Sequence, residues 1–136
     1  MQHRVFQIGV LIAFGSTPIF ADTSAVTHWC RANPQVSGAC FVIRGRASAF
    51  EGSPSIRIWP IGSNRLLGIS EGRYNDKQHS NAPADLEQAL SAGPNATYVY
   101  GSFEVCPFEP DVLGLMRLVC VETVRGMRVV HHGGAL

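Results

Sequence analysis

Charge is scarce in this chain, and the two signs almost balance. Charged residues make up 15% of the 136 residues, and the formal net charge is +1. A nearly neutral chain lacks the concentrated positive field that wholesale binding of nucleic acid or of anionic membrane requires, so the composition argues against both. Lysine is rarest, since Lys77 is the only one. Arginine therefore carries nearly all of the positive charge, and its planar group suits bidentate contacts.

The short motifs of several common chemistries are also missing. The sequence contains no Cys-x-x-Cys, no Walker-type loop and no zinc-protease motif, and it shows no internal repeat. These absences argue against the redox, nucleotide and zinc-protease chemistries that the motifs serve. His131 and His132 are adjacent, so they point apart on a strand, and no third ligand is evident. We therefore predict neither a metal site nor a cofactor.

Residues 1 to 21 have the order of a secretory signal peptide. A cationic start with Arg4 precedes an apolar stretch from Val5 to Phe14, and the segment ends at Ala21. The apolar stretch is too short to cross a bilayer as a permanent helix, and no other run approaches the roughly 18 residues needed. We expect cleavage after Ala21 and an exported protein, periplasmic or secreted, without a membrane span.

Four cysteines follow the predicted leader, and their even number predicts two disulfides. They are Cys30, Cys40, Cys106 and Cys120. Export places them where thiols oxidise. The sequence does not strictly choose among the three possible pairings. A simple hairpin register of the last two strands places Cys106 opposite Cys120, which favours that bond and leaves Cys30 for Cys40.

Hydrophobic periodicity predicts a single mainly β domain over residues 40–130. It lies between a polar, turn-rich N-terminal arm at 22–39 and a flexible tail at 131–136. A short helix is expected over 83–92, where Pro83 suits a first turn and Gly93-Pro94 ends the run. Alternation with a period of two predicts strands at 40–50, 55–61, 65–69, 97–106 and 115–124, the last extending toward 130 past a bend at Gly126.

Three strands, a helix and two further strands follow the order of an OB-fold, a small five-stranded barrel. The helix between the third and fourth strands is part of that order. A small β-sandwich and a curved open sheet would show nearly the same sequence pattern. We predict the OB-like barrel and keep the other two architectures as alternatives.

One group of side chains suggests a binding surface on the first two strands. Arginine beside an exposed aromatic ring can hold an anionic or sugar-like ligand through bidentate hydrogen bonds and stacking. OB-folds commonly bind oligonucleotides or oligosaccharides across this part of the barrel. We therefore predict a non-catalytic domain whose partner is an anionic glycan or an envelope protein. The predicted ligand-binding residues, all opposite the core face, are Arg44, Arg46, Arg57 and Trp59.

Three other interpretations of these residues stay open. The arginines could instead pair with Glu51, Glu104 and Glu122, with Trp59 packed beneath the N-terminal arm. The simple hairpin register also places Glu104 opposite Glu122, and two close carboxylates can serve a hydrolase. A bulge in the hairpin would separate the two acids, and Arg44 or Arg46 could neutralise them. Lastly, the protein could be a purely structural envelope component that binds no ligand.

Five segments cover most of the predicted mature chain: CFVIRGR at 40–46, RIWPIG at 57–62, RLLG at 65–68, YGSFEVCP at 100–107 and MRLVCVE at 116–122. Together they resemble a group of small exported bacterial proteins that carry no assigned function. The resemblance implies export and a β-rich domain, and it implies no activity.

Overall fold

The computed structural model describes residues 29–71, 80–91 and 97–131, together with Gly9 and Gly15. The predicted leader lies outside this part of the chain, apart from those two glycines. The first residues of the predicted arm and residues 132–136 of the predicted tail lie outside it as well. All four cysteines and the four predicted ligand-binding residues lie within the described ranges.

The described chain forms five strands and two short helices, and the strands and the second helix lie in the expected places. The helix α2 lies between the third and fourth strands, and β5 continues as one strand past Gly126. The first helix, α1, is not predicted, because four residues are too few to show an apolar period. The elements are α1 Trp29–Ala32, β1 Phe41–Ala49, β2 Ile56–Pro60, β3 Leu67–Ile69, α2 Ala84–Ser91, β4 Thr97–Pro107 and β5 Arg117–His131.

The five strands close into a ring in the order β1-β2-β3-β5-β4. Strands β3 and β5 run parallel, whereas the other neighbours run antiparallel. The ring is uneven, because β3 has 3 residues and β5 has 15. This architecture confirms the predicted mainly β fold with an OB-like order of elements.

Alternate residues of the strands build the core inside the ring. Ala47 and Ile58 point inward from β1 and β2, while Val99 and Phe103 do so from β4, and all four are fully buried. Leu86 of α2 is also fully buried and packs into the same cluster. Because side chains alternate along a strand, the residues between these positions face outward.

The cysteines pair differently from the prediction. The bonds are Cys30–Cys120 and Cys40–Cys106. The predicted register is confirmed beside the cysteines, where Cys106 faces Cys120 across β4 and β5, but it shifts between Val105 and Glu104. However, β1 pairs with the other edge of β4, and one step beyond the Phe41–Val105 pair Cys40 comes opposite Cys106. The hairpin prediction was wrong because it left out this second neighbour of β4.

The two bridges therefore join elements that are far apart in sequence. They span 90 and 66 residues, and they form a second buried cluster in which Trp29, Val36 and Phe108 pack around the sulfurs. Cys30 comes from α1, so its bond fastens the N-terminal arm to the end of the ring. Two such disulfides indicate an oxidising environment.

Two bulges in β5 decide which of its side chains face outward. The register shifts between Tyr100 and Ser102, and again between Glu104 and Val105. At the first shift β5 carries an extra residue beside Gly126, whose φ of 63° is favourable for glycine. Because of this extra residue, Arg125 and Arg128 both lie opposite outward-facing residues of β4, although they are three residues apart in sequence.

Candidate functional site

The four predicted ligand-binding residues lie on the outward side of β1 and β2. Arg46 is directly opposite Trp59 in the β1–β2 ladder. Arg44 lies two residues before Arg46 and is exposed, whereas Arg57 and Trp59 are half-buried. The sequence-predicted positions thus share one surface, as the strand alternation predicts.

Arg46 is held between two aromatic rings, one from each neighbouring strand. Its guanidinium carbon lies 5.0 Å from the ring centre of Trp59 on β2 and 4.6 Å from that of Tyr98 on β4. The Trp59 ring is fixed in turn, because its Nε1 donates a hydrogen bond to the Ser63 carbonyl at 2.8 Å. A guanidinium held between two rings has its orientation fixed and offers its terminal N–H groups edge-on to a ligand.

Sequence reasoning missed the continuation of this surface onto β4 and β5. Tyr100 lies opposite Arg46 on one side and Arg128 on the other, and the Arg128 guanidinium lies 4.8 Å from the Tyr100 ring centre. A row of alternating aromatic and cationic side chains therefore crosses four strands. In order it comprises Trp59, Arg46, Tyr100 and Arg128.

A second row lies beside the first. Ser102 of β4 faces Arg44 of β1 and Arg125 of β5. The alternation of β4 indicates that its tyrosines and Ser102 share a face. The bend predicted at Gly126 marks where β5 departs from a period of two, but it did not predict that both β5 arginines turn outward. We call the whole surface the arginine face. It comprises Arg44, Arg46, Arg57, Trp59, Tyr98, Tyr100, Ser102, Arg125 and Arg128.

Its five arginines have no carboxylate partner among the described residues, and two of the three acids considered above as partners are engaged elsewhere. Glu104 forms an ion pair with Arg31 of α1. Glu122 accepts a hydrogen bond from the Cys30 backbone N–H at 2.6 Å. The arginine face thus concentrates positive charge that the sum over the chain conceals.

The predicted juxtaposition of Glu104 and Glu122 was wrong. The second bulge places Thr123 opposite Glu104, and the Thr123 hydroxyl donates to its carboxylate at 3.2 Å. Glu122 is the extra residue of that bulge. The two acids are not opposite each other, and Arg31, not Arg44 or Arg46, neutralises Glu104.

A depression of about 460 Å³ borders the arginine face at the bulged end of β4 and β5. The Ser102 and Thr123 hydroxyls, the Arg125 guanidinium and the Arg31–Glu104 ion pair all line it. Hydrogen-bond donors and acceptors therefore meet in one place, beside the second row of the arginine face.

A larger cleft of about 500 Å³ lies between the β1–β2 loop and the β4–β5 loop. Its walls are mostly apolar, with Pro54, Leu115 and Met116 among them. The charged groups at its rim are already bound within the protein, since Glu109 accepts the Leu118 N–H and its carbonyl accepts Arg117 Nε. This cleft thus offers little with which to recognise a polar ligand.

Neither a metal-binding cluster nor a membrane-crossing helix occurs in the described ranges. No group of three or more His, Cys, Asp or Glu side chains there is arranged to hold a metal ion, and no helix there is long and apolar enough to span a bilayer. His131, considered above as a metal ligand, lies at the end of β5, where its Nδ1 is 3.1 Å from the Thr97 hydroxyl.

Comparison with protein-family models, with curated proteins and with solved structures found no match to this chain.

Proposed function

We propose that the protein is an exported, non-catalytic domain that binds an anionic ligand through the arginine face. One observation carries this proposal: five arginines share a surface of the ring and have no carboxylate partner in the described part of the chain. Proteins usually place compensating acids beside clustered cations, because like charges repel each other. An anion from outside would supply that compensation here.

The contacts of Arg46 support binding through oriented donors. The two flanking rings limit the motion of its side chain, so less conformational freedom is lost when a ligand binds. A carboxylate, sulfate or phosphate could then accept two parallel N–H bonds from one guanidinium, which is the strong bidentate arrangement. In this arrangement Trp59 and Tyr98 act as positioning residues that hold the arginine.

Retention on an immobilised anionic polysaccharide such as heparin tests the proposal. We expect the variant R44Q/R46Q to elute at clearly lower salt than the wild type, because each lost contact reduces the number of counterions released on binding. The matched control R65Q/R117Q removes the same charge outside the arginine face, so it should elute close to the wild type.

A second pair of variants separates oriented binding from simple charge. R46K keeps the charge but loses the planar, bidentate donor, so it should bind more weakly than the wild type and more tightly than R46Q. If R44Q/R46Q and R65Q/R117Q elute together, the arginine face is not a binding site. The protein would then fit the alternative of a structural envelope component, which predicts a stable protein partner and no ligand.

A further inference from the structure

We propose that the ligand is an acidic polysaccharide lying across the strands of the arginine face, from Trp59 on β2 to Arg128 on β5. This inference rests on the proposed function and names its ligand class. It adds the β5 arginines to the site and uses the depression beside Arg125.

The spacing of the cations favours a chain whose charges are widely separated. Neighbouring strands lie about 4.8 Å apart, so the row from Trp59 to Arg128 spans about 14 Å at the backbone, and Arg46 and Arg128 are about 10 Å apart. In a polysaccharide of alternating uronate and neutral sugars, one carboxylate recurs per disaccharide. In a nucleic-acid duplex each strand carries one phosphate per about 3.4 Å of helix axis, a denser array of charge that matches this row less well.

The aromatic rings of the row argue against a single-stranded nucleic acid. Proteins that bind such strands stack the bases on aromatic side chains. Here the Arg46 guanidinium already lies against the rings of Trp59 and Tyr98, and the Arg128 guanidinium lies against the ring of Tyr100. A base would have to displace a guanidinium from its ring, whereas a carboxylate can bind the edge of that guanidinium without moving it.

The depression beside the second row is suited to a sugar. Its Ser102 and Thr123 hydroxyls can donate and accept hydrogen bonds, and Glu104 has lone pairs beyond those used by Arg31 and Thr123. Sugar hydroxyl groups can donate to that carboxylate. A polyphosphate, which carries no such donors, would be repelled by it. Arg125 in the same depression could hold the carboxylate of the adjoining uronate.

Titration with a length series tests this inference. The probes are oligosaccharides of alternating uronate and neutral N-acetylated sugars, as in hyaluronan, with two and with eight sugars. Because a disaccharide carries only one carboxylate, only the longer chain can place carboxylates on both β1 and β5, and we expect the octasaccharide to bind at least tenfold more tightly than the disaccharide. R125Q/R128Q should weaken octasaccharide binding about tenfold and change disaccharide binding less than twofold.

The control R65Q/R117Q should leave both affinities unchanged. Arg125 and Arg128 are exposed, so the melting temperature of R125Q/R128Q should match the wild type. If that melting temperature is lower than that of the wild type, the variant R125K/R128K is used in place of R125Q/R128Q. R125K/R128K keeps both charges, but its octasaccharide affinity should still fall several-fold because lysine lacks the bidentate donors of arginine.

The outcomes distinguish failure of the polysaccharide proposal from failure of the proposed function. If R44Q/R46Q lowers octasaccharide affinity but R125Q/R128Q does not, the extension onto β5 is wrong and the proposed function stands. If oligothymidylate or polyphosphate of equal charge binds more tightly than the octasaccharide, the polysaccharide assignment is overturned. If the wild type binds none of these probes, both proposals fail.

Discussion

The disulfide pairing gives a prediction whose size can be worked out from the fold. Cys40–Cys106 lies inside the loop that Cys30–Cys120 closes, with separations of 66 and 90 residues. In the chain-entropy model, closing the inner loop contributes about 4.4 kcal/mol. With that bridge in place, the outer one closes only the 24 residues by which the two separations differ, which adds about 3.5 kcal/mol.

Removal of the outer bridge should therefore cost about 3.5 kcal/mol, and removal of both about 8 kcal/mol. The variant C30A/C120A breaks one bridge, whereas C30A/C40A breaks both. We expect C30A/C120A to stay folded with a clearly lower urea midpoint. C30A/C40A should lose more even if its remaining cysteines, which face each other across β4 and β5, bond together, because that bond closes a shorter loop than the Cys40–Cys106 bond that C30A/C120A keeps. A small domain has only about 5–15 kcal/mol in total.

The assay is urea unfolding without reductant, with free energies taken from linear extrapolation. The pairing of neighbouring cysteines, Cys30 with Cys40 and Cys106 with Cys120, predicts the reverse order, because C30A/C40A would then break only one bridge. A milder loss in C30A/C40A than in C30A/C120A would thus refute the nested pairing.

Three further predictions concern the arginine face and the loop beside it. Trp59→Leu should weaken anionic-ligand binding several-fold without changing the charge, because Arg46 loses a ring contact of about 1 kcal/mol. Titration calorimetry measures the loss of affinity, and an unchanged affinity would show that Trp59 is not a positioning residue. Gly126→Ala should destabilise the fold by about 1 kcal/mol through its positive φ and should also weaken ligand binding, whereas Gly114→Ala, at a φ of 81°, should lower stability alone. Hydrogen bonds from Ser55 and, to a lesser extent, Ser53 lower the pKa of Glu71 below its ordinary 4.5. The stability that these hydrogen bonds provide is therefore fully present above pH 4.5 and is lost as the pH falls through the lower pKa of the folded state. An NMR titration that gives the Glu71 carboxyl a pKa of 4.5 or higher would contradict this prediction.

The strand positions and the OB-like order follow from local patterns that the sequence displays openly. Alternation along β1 places Ala47 inside and Arg46 outside, and the structure agrees at both positions. The run that begins at Pro83 and ends near Gly93 predicts α2 to within a residue or two. These elements are predictable because burial imposes a period of two or of about 3.6 on nearby residues.

The disulfides and the β5 arginines depend on contacts that no local pattern records. Cys40 reaches Cys106 because β1 closes the ring against β4, and this is a property of the whole topology. Arg125 and Arg128 face the same way because a bulge adds one residue between them. A strict period of two would have placed them on opposite faces, and it also produced the wrong pairing of Glu104 with Glu122.

The near-neutral composition was likewise an incomplete guide. It argued against wholesale binding of nucleic acid or of anionic membrane, and it correctly describes the sum of the charges. The fold separates those charges, however, because Glu104 is bound by Arg31 and Asp111 by Arg65, while five arginines share one outward surface. A local field can thus exist on a chain whose net charge is +1.

The most direct measurement follows the arginine side chains themselves. In ¹H–¹⁵N NMR spectra of the arginine Nε–H groups, titration with the uronate octasaccharide should shift the signals of Arg44, Arg46, Arg125 and Arg128 together, with one dissociation constant. The signals of Arg65 and Arg117 should stay in place. Shifts confined to Arg65 and Arg117, or an unchanged spectrum at millimolar octasaccharide, would contradict the assignment of the arginine face as a polysaccharide-binding site.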